Sequence, residues 1–368
     1  MFDPEAPFDK YLLDTKSFLK KESFFPKINP EKKEEILEDI SPFEFKISPD
    51  CGKDKIKRGI LLIHGFLDTP FAMKDLGEYF RSKCFLVRSI LLPGHGTKPE
   101  DLLNVKLEEW LAIVEYGINS LKKDVDEVYV LGLSAGGALA FHYGLNPGDL
   151  KLNGIAAISP SIAISPLAVF AKVVGLFKKW KRIEKDQDYV KYESYPMNGV
   201  HQIFRLTEKL RESKNKITIP VMMVLSEDDT TVLSSASNDF FSNQLEGKKK
   251  LVIYKNKPAK NSHAFIEEKN SSYPELNILN FSHIALHISP ENKHYGLNGD
   301  YKSCLHYSGD AKKNEECKST NNKQIKYGET NVVDKKLISE NELFRRLTFN
   351  PDFENMCEEI YSFLTGTD

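Results

Sequence analysis

The stretch Val128-Tyr129-Val130-Leu131-Gly132-Leu133-Ser134-Ala135-Gly136-Gly137-Ala138-Leu139-Ala140 decides the fold. Its first half is a continuous apolar run, which as a strand needs cover on both faces. A parallel sheet sandwiched between helices supplies that cover. Its second half is small and helix-friendly. Between them lies Gly-x-Ser-x-Gly, the pattern of a strained strand-to-helix corner that exposes a serine hydroxyl, with glycines where side chains would clash. Five residues alone are a weak signal. The strand before them and the helix after them are the context the motif requires.

Working outward, residues 59–63 form a second apolar run that ends in His64-Gly65-Phe66. Residues 85–92 form another, stopped by Pro93-Gly94-His95-Gly96, and 154–159 and 221–225 add two more. Residues 43–48 alternate weakly, as a first strand would. Helical spacing covers about 71–82 and 105–123. Strands alternating with helices of this length predict βαβ units and a mostly parallel sheet. Residues 1–42, charged and with prolines at 26, 30 and 42, read as a peripheral N-terminal arm, leaving 43–368 for the main domain. Two parts break the alternation. Residues 162–215 lie between the fourth and fifth strands, and a polar insertion spans about 288–338.

Composition narrows the class. The chain has 368 residues, 40% hydrophobic and 28% charged, and its 23 Phe and 15 Tyr can fill a large core, so extended disorder is excluded. Lys and Arg total 51 against 53 Asp and Glu, a formal charge of −2, which supplies no global attraction to nucleic acid. No apolar run approaches the roughly 20 residues of a membrane span. The start Met-Phe-Asp-Pro-Glu lacks a secretory pattern, so a cytoplasmic protein is expected unless a leader was removed. Five Cys leave at least one thiol without an intrachain partner and, without CxxC spacing, are taken to exclude both a disulfide scaffold and a structural zinc site as the main organiser. Cys84 reads as a small core residue, Cys357 fits an apolar helix face, and Cys304 and Cys317 either pair in an exported protein or stay reduced.

A serine hydroxyl needs a base, and the base needs an orienting acid. With Ser134 on this corner, chain order places the acid next and the histidine last. The strand at 221–225 runs out into Ser226-Glu227-Asp228-Asp229, where Asp229 is the expected acid and Asp228 the neighbour that could replace it. His283 follows the strand-like run 276–281 and is favoured as base. His263, after the run 251–254 by a looser loop, is its rival. Oxyanion donors are expected from the backbone N–H of Ala135 and of Phe66, with His64 bracing the Phe66 loop.

Together these residues resemble the α/β-hydrolase superfamily and, within it, the monoacylglycerol lipase and bacterial carboxylesterase branch. The resemblance rests on Leu62-Ile63-His64-Gly65-Phe66, Leu92-Pro93-Gly94-His95-Gly96, Glu109-Trp110, Gly132-Leu133-Ser134-Ala135-Gly136-Gly137 and Asp228-Asp229-Thr230-Thr231-Val232. It spans about 55–285 plus a final helix near 340–364. It implies an α/β-hydrolase fold with a mostly parallel central sheet, helices on both faces and a helical cap at 162–215. It also implies Ser134 as nucleophile, Asp229 as acid, and Phe66 and Ala135 as oxyanion donors. In that branch the histidine follows Ser or Ser-Gly, which Ser282-His283 and Ser262-His263 match equally.

The expected function is a serine carboxylic-ester hydrolase, an esterase or lipase acting on aliphatic acyl esters through an acyl-enzyme. Acyl transfer or thioester hydrolysis on the same triad is the alternative, and a non-catalytic binding protein on this fold the contrasting class. An intact catalytic set favours turnover. No metal or organic cofactor is implied, and no oligomeric state is legible. The partner is a small ester or lipid. The apolar stretch 162–177, followed by Lys178-Lys179-Trp180-Lys181-Arg182, suits either ordinary cap packing with a solvated face or a lid that touches a membrane surface transiently. Replacing Lys178, Lys179, Lys181 and Arg182 by Gln is expected to weaken binding to anionic vesicles in a sedimentation assay; unchanged binding removes the lid reading.

Overall fold

The computed structural model describes residues 3–52, 56–163, 179–182, 188–259, 264–319, 324–330, 332, 338–339 and 341–367. The apolar runs become adjacent strands: β1 (Phe43–Phe45), β2 (Arg58–Ile63), β3 (Phe85–Ile90), β4 (Glu127–Leu133) and β5 (Gly154–Ile158). A separate antiparallel pair, β6 (Trp180–Arg182) and β7 (Tyr195–Pro196), follows. The main sheet resumes with β8 (Val221–Ser226), β9 (Lys249–Lys255) and β10 (Ile266–Asn270). Its order is β1-β3-β2-β4-β5-β8-β9-β10, and every pairing is parallel except β1 with β3. All residues of β3, β5 and β8 are buried, as strands covered on both faces must be.

Helices supply that cover from both sides. Ordered along the chain they begin with α1 (Phe8–Glu22), α2 (Lys33–Ile40), α3 (Lys74–Ser82), α4 (Leu107–Lys122) and α5 (Ala135–Leu145). Consecutive strand residues face opposite sides. In β5, Gly154 faces Leu364 of the last helix, Phe353–Thr365, while Ile155 faces Gly144 of α5. The fold expectation therefore holds: an α/β-hydrolase sheet with helices on both faces. Residues 3–42 carry α1 and α2, and their Phe8, Tyr11, Leu19, Phe25, Ile36 and Ile40 join the same hydrophobic core as the sheet. Tyr11 Oη accepts from Leu91 N–H at 3.0 Å, and Phe24 N–H donates to Thr97 O at 3.0 Å. The arm thus lies over the loop that follows β3.

Three local readings need correction. The run 276–281 is not a strand of the sheet. The edge position goes to β10, which pairs with β9 in parallel, while Ile278 makes only isolated bridges to Tyr273 and Tyr327. Its apolarity reflects burial of Ile278 and Phe281 under irregular backbone. The terminal segment near 340–364 divides into β12 (Glu342–Arg346) and the last helix; β12 pairs in parallel with β11 (Gln324–Gly328) of the polar insertion. Cys84 is not a lone core thiol. It precedes β3 with φ 68° and is bonded to Cys51, with Cα atoms 5.8 Å apart. Cys304 and Cys317 also pair, with Cα atoms 6.1 Å apart, and Cys357 is free and buried. Among the described residues no helix is long and apolar enough to cross a membrane.

Gly136 sits where α5 starts against β2, and a Cβ there would stand 2.2 Å from Ile63 O. Backbone cannot retreat as a flexible side chain can. Gly136→Ala is expected to cost at least about 3 kcal/mol in denaturant unfolding. Gly309→Ala, where a Cβ meets nothing within 4 Å, should leave stability unchanged within about 0.5 kcal/mol. Equal midpoints for the two variants would contradict this account.

Candidate active site

The C-terminal ends of parallel strands are where ligands meet an open α/β sheet. Ser134 leaves β4 at the sheet centre with φ 52° and ψ −112°, a conformation costing about 1–3 kcal/mol that the surroundings must enforce. They do so at both ends of the residue. Its N–H donates to Ile158 O at 2.9 Å, and its O accepts from Ala138 N–H at 3.1 Å and from Ser161 N–H at 3.0 Å. A Cβ on Gly132 would meet Gly136 backbone at 2.3 Å, so glycine alone permits the turn to close.

The loop after β2 carries Phe66. Its neighbour Leu67 has φ 71°, strained for a leucine. Leu67 N–H donates to His95 Nε2 at 3.1 Å, and Leu67 O accepts from Tyr192 N–H at 2.9 Å. His64 accepts from Leu92 N–H on Nε2 at 3.0 Å and lies 2.8 Å from Gly65 O through Nδ1, which fixes its tautomer. Trp110 Nε1 donates to Pro93 O at 2.9 Å. The His-Gly-Phe and Pro-Gly-His-Gly stretches thus lock one another, with His64 bracing the loop as expected. Burial pushes the His64 imidazole down to about 4 and that of His95 to about 3, so both stay neutral and keep these bonds at neutral pH. Among the described residues, neither the Phe66 nor the Ala135 amide donates to a protein acceptor.

Asp229 follows β8, and its Oδ1 accepts from Thr231 N–H at 2.7 Å and Val232 N–H at 3.1 Å. Burial works to raise this carboxyl, but His283 and the two amides outweigh it and hold it below the ordinary carboxylate value. His283 Nδ1 lies 2.5 Å from Asp229 Oδ2, and His283 Nε2 lies 3.2 Å from Ser134 Oγ. Asp228 is not part of this chain of bonds; burial, then Glu227 and Glu329, raise its carboxyl. His263 lies outside the described residues, as do 164–178 and 183–187 of the expected cap.

Three neighbours escaped the sequence reading. Ser161 Oγ lies 3.1 Å from Ser134 Oγ. Glu329, 1% exposed, accepts from His283 N–H at 3.2 Å and from Arg346 Nη2 at 2.8 Å. No motif marks Glu329 or Arg346, since only the insertion's path brings them to the site. The described residues 188–191, in the segment expected as a cap, are also tied to the Phe66 loop. Lys191 Nζ lies 2.9 Å from Asp68 Oδ1, and Thr69 Oγ1 donates to Val190 O at 2.8 Å.

Comparison with known proteins gives the following. Residues 54–270 match the Hydrolase_4 family, described as serine aminopeptidase, S33. That span includes Phe66, Ser134, Ala135 and Asp229 and ends before His283. A thermostable monoacylglycerol lipase from Bacillus sp. (strain H-257) is 28% identical over 204 residues, covering 54% of this chain and 81% of that protein. A carboxylesterase from Bacillus subtilis (strain 168) is 24% identical over 221 residues, covering 58% of this chain and 85% of that protein. The crystal structure of a Paleococcus ferrophilus monoacylglycerol lipase superposes with a TM-score of 0.47 at 22% identity, covering 63% of this chain and 89% of the other.

The buried imidazoles make stability pH-dependent. For His287, burial pushes the imidazole down to about 3, Asp68 opposes this, and Lys191 and His283 add to it. Unfolded histidine takes a proton near its ordinary 6.5, while the folded group does not until far lower pH. The stability this represents is complete above pH 6.5 and is lost as pH falls toward 3. His287→Asn is therefore expected to show a smaller fall in Tm between pH 7 and about pH 4 than the parent protein. Parallel Tm curves would contradict it.

Proposed function

Because this chain belongs to the Hydrolase_4 (serine aminopeptidase, S33) family, we propose that Ser134, Asp229 and His283 act as nucleophile, orienting acid and general base of an esterase or lipase. The observation that carries the reading is the continuous hydrogen-bond chain from Ser134 Oγ to His283 Nε2 at 3.2 Å and from His283 Nδ1 to Asp229 at 2.5 Å, in the chain order Ser-Asp-His. The protein is an α/β-hydrolase of the esterase/lipase type. Its two relatives named monoacylglycerol lipase and carboxylesterase support an ester with an aliphatic acyl chain as substrate.

His283 takes the Ser134 proton as Oγ attacks the ester carbonyl, and Asp229 holds the imidazole and offsets its positive charge. The Phe66 and Ala135 amides receive the carbonyl oxygen as charge develops on it. Collapse of the tetrahedral intermediate leaves an acyl-enzyme and releases the alcohol, protonated by His283. Water then attacks the acyl carbon as His283 takes its proton; the bond to Ser134 Oγ breaks, His283 returns the proton to that oxygen, and the acid departs. The role of Leu67 in this scheme is indirect. Its own amide is given to His95, and the adjacent Phe66 amide has no protein acceptor among the described residues. The two disulfides favour an oxidising compartment over the cytoplasm for this chemistry.

A fluorophosphonate probe should label the parent protein and not Ser134→Ala, whose kcat on p-nitrophenyl butyrate should fall at least about 10³-fold. His283→Ala should lose activity comparably and His263→Ala should not; the reverse result transfers the base to His263. Turnover of an aminoacyl p-nitroanilide in preference to any ester of a chain-length series would replace the esterase reading with a peptidase one.

A further inference from the structure

We propose that Glu329 and Arg346, both outside the family-matched span, are positioning residues that hold the arm carrying His283 against the loop carrying Asp229. The inference rests on the triad reading above and gives a function to the polar insertion, which no motif explains. His283 lies beyond the last strand of the main sheet, and among the described residues no β-ladder includes it. A base held only by its own side chain would drift, and misplacement by about 1 Å costs about 10²-fold in rate.

The structure replaces the missing ladder with a buried ion pair. Glu329 Oε2 accepts from His283 N–H at 3.2 Å and from Arg346 Nη2 at 2.8 Å, and Oε1 accepts from Thr330 N–H at 2.7 Å. Glu329 N–H donates to Asn280 Oδ1 at 2.7 Å, three residues before His283. Arg346 Nη2 also reaches Thr231 Oγ1 at 3.4 Å, on the residue whose amide holds Asp229. Both His283 and Asp229 are thereby tied to one guanidinium. The pair owes its own placement to the parallel ladder of β11 and β12, where Gly328 lies opposite Arg346. Next to Arg346, Arg345 donates to Cys317 O at 2.6 Å, and Cys317 is bonded to Cys304. Ser282 Oγ donates to Leu347 O at 2.5 Å, a further tie between the two segments.

A structural brace and an electrostatic positioner differ in their pH signature. The charged or titratable groups around the His283 imidazole are Asp229, Glu329 and Arg346, with neutral His287 on its own segment and Asp228 beside Glu329. Removing the Glu329 charge disfavours the protonated imidazole; removing the Arg346 charge favours it. In Glu329→Gln and Arg346→Gln, kcat on p-nitrophenyl butyrate is expected to fall about tenfold with KM changed less than about twofold. The acid limb of kcat/KM should move to lower pH in Glu329→Gln and to higher pH in Arg346→Gln. The double variant should bring the limb back toward its original position without restoring kcat. Should Glu329→Gln not be recovered folded, Arg346→Lys carries the test, with kcat reduced several-fold and the limb unmoved; undiminished kcat in it overturns the proposal. Unchanged kcat and limb in the single Gln variants, or rate losses that follow Tm with no opposite shift, also overturn it. Failure of the triad reading would look different, as activity that Ser134→Ala does not abolish.

Discussion

The close approach of α5 to β2 is the contact on which the site depends. Gly136 lies so near Ile63 O that no side chain fits between them, and Gly132 is equally constrained by Gly136 itself. With these two positions stripped to backbone, β4 can turn sharply into a helix. Ser134 then stands at the corner in a conformation it would not adopt alone. The cost is met by ordinary sheet and helix hydrogen bonds at its N–H and O. Once that corner exists at the centre of a parallel sheet, the neighbouring strand ends deliver the remaining groups. β2 brings Phe66 from one side, and β8, one strand beyond β5, brings Asp229 from the other.

Burial has opposite consequences on the two flanks of the serine. Around Phe66 it keeps His64 and His95 neutral, so each can accept a backbone N–H and stabilise an otherwise strained loop. On the Asp229 side the carboxylate is retained charged because two amides and an imidazole offset the loss of water. Burial strengthens each of these interactions, since charges and dipoles act more strongly where water is excluded. Asp228, one residue away, is shifted upward because burial and the neighbouring Glu227 and Glu329 outweigh its hydrogen bond from Asn280.

The insertion after His283 extends this logic beyond the sheet. Its buried Glu329 accepts from the His283 N–H, and its strand β11 pairs with β12, which carries Arg346. A second link ties the insertion to Asp188, in the segment expected as a cap. His294 lies between Asp188 and Asp300, at 3.0 Å and 2.5 Å, and these carboxylates outweigh burial and raise its imidazole to about 9. Lys32 of the arm pairs with Asp300 in turn. Residues of the N-terminal segment, of the segment expected as a cap and of the polar segment after His283 are thus joined by charge.

Short-range patterns determined the strands of the sheet and the turns at their ends. The apolar runs, the Gly-x-Ser-x-Gly corner and the His-Gly-Phe and Pro-Gly-His-Gly loops are local, because strand burial and tight turns constrain consecutive residues. Ser134, Asp229, Phe66 and Ala135 were legible for that reason. Chain order also pointed to His283, although the run before it proved to be irregular backbone rather than a strand. Only the tertiary structure decided that Cys84 pairs with Cys51, that Glu329 sits under His283, and that Arg346 joins Glu329 to Thr231. These partners are distant in sequence and of common residue types. Periodicity and spacing say nothing of which distant polar groups meet; burial does, because a charge taken out of water must find its counterpart.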